Sequence, residues 1–224
     1  AISGPNSREL LSRLTREDVS SESFKFRDIR DTFIGGVPAL CVRLSFTGEL
    51  GYEIYVAPQF QLKLFDEIQE AGKDLDVKWF GGRALMSMRL EKSWGAWTMD
   101  FRPDFTLMES GLDFFVDWDK DFIGKKAALN EKENGITKQL SVIEIETETD
   151  VSGDEAVMHN GKCISYITSG GYGHSVEKSL AMTYLPVELI KESAEFEVEI
   201  LGIFHKAKVV LKPLYDPSGS KMRE

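Results

Sequence analysis

Residues 155–169 read E-A-V-M-H-N-G-K-C-I-S-Y-I-T-S, and the way they fold decides the second half of the chain. Two apolar runs flank Asn160-Gly161. Both residues of that pair tolerate a positive φ, which a two-residue hairpin turn requires. The stretches around it have the same grammar: QLSVIEIE (139–146), SLAMTYLP (179–186) and EFEVEILGIFHKAKVVLKPLY (195–215). Short β-rich runs at this spacing, with no helix between them, predict a small antiparallel barrel or sandwich.

Upstream the pattern is mixed. Asn6 and Glu9 are spaced as an N-cap and its capping-box partner, ahead of an apolar stripe of Leu10, Leu11 and Leu14. GGVPALCVRLSF (35–46) reads as a hairpin turn feeding a strand. Pro58 opens a helix with Phe60, Leu64, Ile68 and Ala71 on one face, and Gly72 ends it. A second helix is expected over 82–93, apolar around more than half its circumference and therefore mostly buried. A third is expected over 124–133, stopped by Asn134-Gly135. The fold class is α+β, with a helix-and-strand domain over 1–137 and an all-β domain, antiparallel barrel or sandwich, over 138–224.

Composition narrows the function. The 224 residues carry a net charge of −10 and no cationic block longer than a pair, which argues against nucleic acid, whose binding rests on clustered cations. No uncharged apolar run reaches the ~20 residues of a membrane span. Three scattered histidines and two distant cysteines offer no zinc spacing and no legible nucleophile–base set, so neither a metal site nor a catalytic residue is assigned. Cys41 and Cys163 are read as reduced thiols, buried or half-buried, in a cytosol-like compartment. SGGYGHS (169–175) lacks both phosphate-loop patterns and is read as a glycine turn between strands.

Three features remain. In LSFTGELGYEIYV (44–56), alternation sends Leu50, Tyr52, Ile54 and Val56 to one face and Gly51, Glu53 and Tyr55 to the other. Gly51 then leaves space beside Glu53, whose carboxylate can accept the two parallel N–H groups of a 2-amino-pyrimidinone edge. Arg83 and Arg89 sit on the second helix, where each is either an ion pair at the core edge or a ligand contact. Trp94 and Trp97, three apart in EKSWGAWTMDF (91–101), either cover a domain junction or stack on a flat heteroaromatic ligand.

The order of GPNSRELL, SFTGELGYEIYV, FGGRALMSMRLEKSWGAW, ESGLDFF and DFIGKKAAL resembles the folate-binding aminomethyltransferase family. That family includes the glycine cleavage T-protein and the C-terminal parts of dimethylglycine and sarcosine dehydrogenases. The run from GKCISYITS to VVLKPLYDP is similar to its closing β-barrel. RLEKSWGAW and SGGYGHS fit the flavin-dependent dehydrogenase branch best.

The resemblance implies an incomplete folate-binding domain followed by the barrel. It also implies tetrahydrofolate as cofactor and FAD in a flavin domain upstream on the same polypeptide. Glu53 would hold the pterin ring, Phe46 stands where a tyrosine is common, and Trp97 with Trp94 would line the pocket. The family's folate-site arginine aligns with Leu85, so Arg83, two residues upstream, is the substitute cation. The family's catalytic acid lies upstream of GPNS.

The implied reaction captures the one-carbon unit from a methylated-glycine substrate as 5,10-methylenetetrahydrofolate, in a bacterial cytoplasm or a mitochondrial matrix. The alternatives are a stand-alone aminomethyltransferase, a folate-dependent demethylase, and a non-catalytic regulatory module of the same fold.

Overall fold

The structure, a computed structural model, describes residues 1–224. The chain divides into two compact units, Ala1–Leu85 with Asp216–Glu224, and Met86–Tyr215.

In the first unit a small antiparallel sheet carries two helices. Strand β1 (Ile2–Ser3) precedes helix α1 (Ser7–Leu14). Strands β2 (Ile29–Ile34), β3 (Val37–Val42) and β4 (Gly51–Tyr55) follow, then helix α2 (Gln61–Ala71). The sheet order is β1-β4-β3-β2. Gly35 and Gly36, both at positive φ, make the two-residue turn that pairs Ile34 with Val37. Leu10, Leu11 and Leu14 of α1 and Leu64 of α2 are buried with Tyr52, Ile34 and Cys41 in one apolar cluster.

The capping box does not form. Asn6 has φ −89° and ψ 3°, a turn conformation rather than the extended one an N-cap side chain needs, and it makes no capping bond. The Glu9 carboxylate instead pairs with Arg13 one turn on, at 2.6 Å.

Helix α3 (Gly82–Glu91) contains the break between the units. It ends two residues short of the expected Ser93, which has φ 58° and cannot continue a helix. Burial is also less than expected, being confined to Arg89, Leu90 and Glu91. Residues 84–88 of the helix are half-buried, and only its last turn is fully covered.

In the second unit, helix α4 (Lys125–Asn134) ends on Gly135 at φ 81°. Six strands follow: β5 (Lys138–Ile145), β6 (Ala156–His159), β7 (Lys162–Gly173), β8 (Lys178–Pro186), β9 (Glu195–Ile200) and β10 (Ile203–Val210). They close into an antiparallel barrel in the order β10-β5-β8-β7-β6-β9. Asn160 and Gly161, at φ 50° and 74°, form the expected hairpin turn, with His159 opposite Lys162. In β9, Phe196, Val198 and Ile200 point into the barrel while Glu195, Glu197 and Glu199 point out.

The glycines of SGGYGHS lie inside β7 rather than in a turn. A Cβ on Gly170 would stand 2.6 Å from Val151 Cγ1, and one on Gly173 would stand 2.9 Å from Glu91 Cγ. Close approach from neighbouring segments, not a reversal of the chain, is what requires them.

The thiols differ more than expected. Cys41 is buried, but Cys163 is exposed. Burial pushes the Cys41 thiol up to about 11, so at pH 8 only about one molecule in a thousand carries its thiolate. Iodoacetamide at pH 8 should therefore modify Cys163 within minutes and leave Cys41 unmodified until denaturant is added. Peptide mass spectrometry reads this directly, and equal labelling of both in the native protein would contradict the burial of Cys41.

Candidate functional site

Strand β4 sets the first group of candidate residues. Its alternation is as the pattern requires, with Leu50 and Tyr52 in the core and Glu53 and Tyr55 on the other face. The Tyr55 hydroxyl donates to Glu53 Oε2, and that bond holds the phenol above its ordinary range. A carboxylate offers about four acceptor positions, so Glu53, half-buried and engaged once, keeps capacity for further N–H donors. Tyr55 as its partner was not assigned from sequence, although the i, i+2 spacing puts the two on one face.

Gly51 does not provide the open space expected of it. A Cβ there would meet Ile2 O at 3.1 Å and Leu44 O at 3.3 Å. The glycine is needed because β1 pairs across it, with Ser3 opposite Gly51. The chain's own backbone takes that volume.

Phe46 is half-buried in the segment before β4. Arg83 is exposed in the first turn of α3 and makes no hydrogen bond or ion pair. Glu53, Phe46 and Arg83 belong to the first unit, Trp94 and Trp97 to the second.

Past α3 the two tryptophans leave the helical path. Trp94 is half-buried, with Lys92 Nζ 5.7 Å from its ring centroid. Trp97 is 77% exposed and touches Phe101 at a tilt, with the centroids 6.4 Å apart. The Phe101 ring lies over Gly95, where a Cβ would come within 2.4 Å of it. The segment therefore folds back on itself and does not present both indoles on one helix face.

What fixes this loop is Asp100, which was not singled out from sequence. It is fully buried. Its Oδ2 accepts Arg89 Nη1 at 2.8 Å and the Ala96 N–H at 2.7 Å. Its Oδ1 accepts the Thr168 hydroxyl and the Ser169 hydroxyl, the latter at 2.7 Å. Tyr184 donates to the Asp100 carbonyl at 2.9 Å. Arg89 donates onward to the Trp94 carbonyl at 2.9 Å, so both ends of the tryptophan loop are tied to α3, and the Asp100 end also to the barrel. Of the two helix arginines, Arg89 is thus the ion pair. Burial lowers its affinity for its proton, and Asp100 opposes that.

These features describe an α+β body bearing an accessible carboxylate, followed along the chain by a closed six-stranded barrel. The chain belongs to the glycine cleavage T-protein family: the GCVT N-terminal domain matches residues 1–120, and the glycine cleavage T-protein C-terminal barrel domain matches residues 138–216. Human mitochondrial dimethylglycine dehydrogenase is 36% identical over 228 residues, covering 100% of this chain and 26% of its own length. An aminomethyltransferase of Geobacillus sp. (strain WCH70) is 34% identical over 218 residues, covering 96% of this chain and 59% of its own. The crystal structure of glycine cleavage system aminomethyltransferase T from Bartonella henselae superposes with a TM-score of 0.73 at 28% identity, over 80% of this chain and 50% of that one. The chain thus spans about a quarter of the dimethylglycine dehydrogenases it matches. No helix in it is long and apolar enough to cross a membrane.

Proposed function

We propose that this chain is the tetrahydrofolate-binding part of a dimethylglycine or sarcosine dehydrogenase-like enzyme. In this reading residues 1–137 form the folate-binding domain and residues 138–224 the barrel domain. A flavin domain on the same polypeptide, carrying FAD, would oxidise the N-methyl group of a methylated glycine. Bound tetrahydrofolate supplies the acceptor for the released one-carbon unit.

The observation that carries this reading is Glu53. It is a half-buried carboxylate with one hydroxyl donor and unused acceptor capacity, in a chain aligned along its whole length with dimethylglycine dehydrogenase. Two parallel N–H groups of a pterin edge match it geometrically, and such charge-assisted bonds are the strong ones. Tyr55 orients the carboxylate. Arg83, uncommitted and exposed, adds positive charge, and Phe46 contributes apolar surface for the ring. Trapping a reactive one-carbon species in an enclosed site gains from proximity and from excluding water.

Calorimetric titration of tetrahydrofolate into the full-length protein tests this. Glu53→Ala should weaken binding by ~1.5–3 kcal/mol, the worth of a hydrogen bond to a charged group, or roughly 10- to 150-fold in Kd. Unchanged affinity in that variant would remove Glu53 from the site.

A further inference from the structure

The sheet face that bears Glu53 is more apolar than one facing water ordinarily is. An antiparallel sheet with one wet face carries polar side chains there. Ala39 and Cys41 of β3 turn to the core, and the residues between and beside them, Pro38, Leu40 and Val42, point the other way. Leu40 and Val42 are half-buried. Strand β2 adds Ile29 and Phe33 to the same face, 62% and 64% exposed.

Register sorts these side chains into rows. Val42 stands opposite Glu53 on one side and opposite Ile29 on the other. Leu40 stands between Tyr55 and Asp31, and Pro38 faces Phe33. Only the first row joins a carboxylate to an unbroken aliphatic run. Neighbouring strands lie about 4.8 Å apart, so this row extends roughly 10 Å from Glu53 to Ile29, enough for a fused two-ring system. The other direction along β4 is closed. Backbone oxygens of Ile2 and Leu44 fill the space at Gly51, and the Ser3 and Thr47 hydroxyls bond each other.

Height matters as well as length. Valine ends at its Cγ methyls, whereas glutamate carries its carboxylate beyond Cγ, so Val42 leaves a step beside the Glu53 oxygens. A ring resting ~3.5–4.0 Å above the methyls fits that step with its edge toward the carboxylate. We infer that Val42 and Ile29 are the floor on which the pterin ring lies, with its N–H edge on Glu53 and its length running across β3 toward β2. This rests on the folate reading above and adds to it the two residues beneath the ring. An aliphatic floor makes no demand for a flat π-face, which suits the partly saturated ring of a tetrahydropterin.

Calorimetric titration of tetrahydrofolate into four variants of the full-length protein tests the floor, with a melting curve for each. Val42→Phe fills the step and should weaken binding about tenfold or more. Ile29→Ala shortens the floor and should weaken it about 3- to 10-fold. Phe33→Ala, on the same face but in a row without a carboxylate, should leave Kd within about twofold. Should Val42→Phe lower Tm, Ile29→Ala decides, because that side chain is exposed and its loss leaves the core intact.

The fourth variant, Glu53→Ala, separates the two readings. Weakened binding there, with Kd unchanged in Val42→Phe and Ile29→Ala, overturns the floor and leaves the folate site standing. Full affinity in Glu53→Ala removes the folate site and the floor with it. Equal losses in Phe33→Ala and Ile29→Ala also overturn the floor, because the row would then have no special place on the face.

Discussion

Asp100→Ala should lower the unfolding free energy of the barrel-containing unit by about 3–5 kcal/mol, the usual consequence of leaving one partner of a buried ion pair alone. For a chain of this size that is a fall in Tm of roughly 6–20 °C. The loss has two sources. Arg89, 0% exposed, keeps its charge in a site that no longer compensates it. The Ser169 hydroxyl and the Ala96 N–H also lose their acceptor together, while Thr168 keeps the Met182 carbonyl at 3.1 Å. Asp100→Asn keeps the shape and one acceptor oxygen, so it should fall between wild type and Asp100→Ala.

Combining Arg89→Met with Asp100→Leu should recover the part of the loss that comes from the stranded Arg89 charge, while the Ala96 N–H and Ser169 hydroxyl still lack their acceptor. Urea denaturation of the four proteins in the cycle yields the coupling. A single-mutant loss under about 1 kcal/mol would show that Asp100 is not the anchor of the tryptophan loop.

That anchor is also where sequence reading failed, for an identifiable reason. Hairpins at Gly35-Gly36 and Asn160-Gly161 were legible because the signal is two adjacent residues with an unusual φ preference. The alternation in β9 and β4 was legible because neighbours on one face are two positions apart. Glu53 on its outward face follows from the same rule.

Apart from the Ala96 N–H four residues back, Asp100 takes its partners from positions 11, 68, 69 and 84 residues away, and no local pattern encodes these. In EKSWGAWTMDF the indoles drew the reading, while the short carboxylate that positions them looked like an ordinary loop residue. Gly51 failed in the same way, since the atom filling its space belongs to Ile2 at the far end of another segment. The glycines of β7 were mistaken for a turn because close approach and chain reversal ask for the same residue.

The barrel itself makes the second large prediction. Ile143, 0% exposed, sits midway along β5, opposite Ala181 of β8 on one side and Val209 of β10 on the other. Its side chain fills the barrel with Ile145, Val157, Ile167 and Val198. In an open core, neighbours partly collapse into a vacancy and reduce its cost. Here each strand is held by hydrogen bonds to two others in a closed ring, and the small Ala181 and Ala207 have no atoms to advance into the gap. Ile143→Ala should therefore lie in the upper part of the ~2–5 kcal/mol range for such truncations, while Ile143→Val costs about 0.5–1.5 kcal/mol. Chemical denaturation measures both, and amide exchange should quicken first along the β5–β8 pairing. A loss for Ile143→Ala no larger than that for Ile143→Val would mean that the barrel wall yields, contrary to its closure.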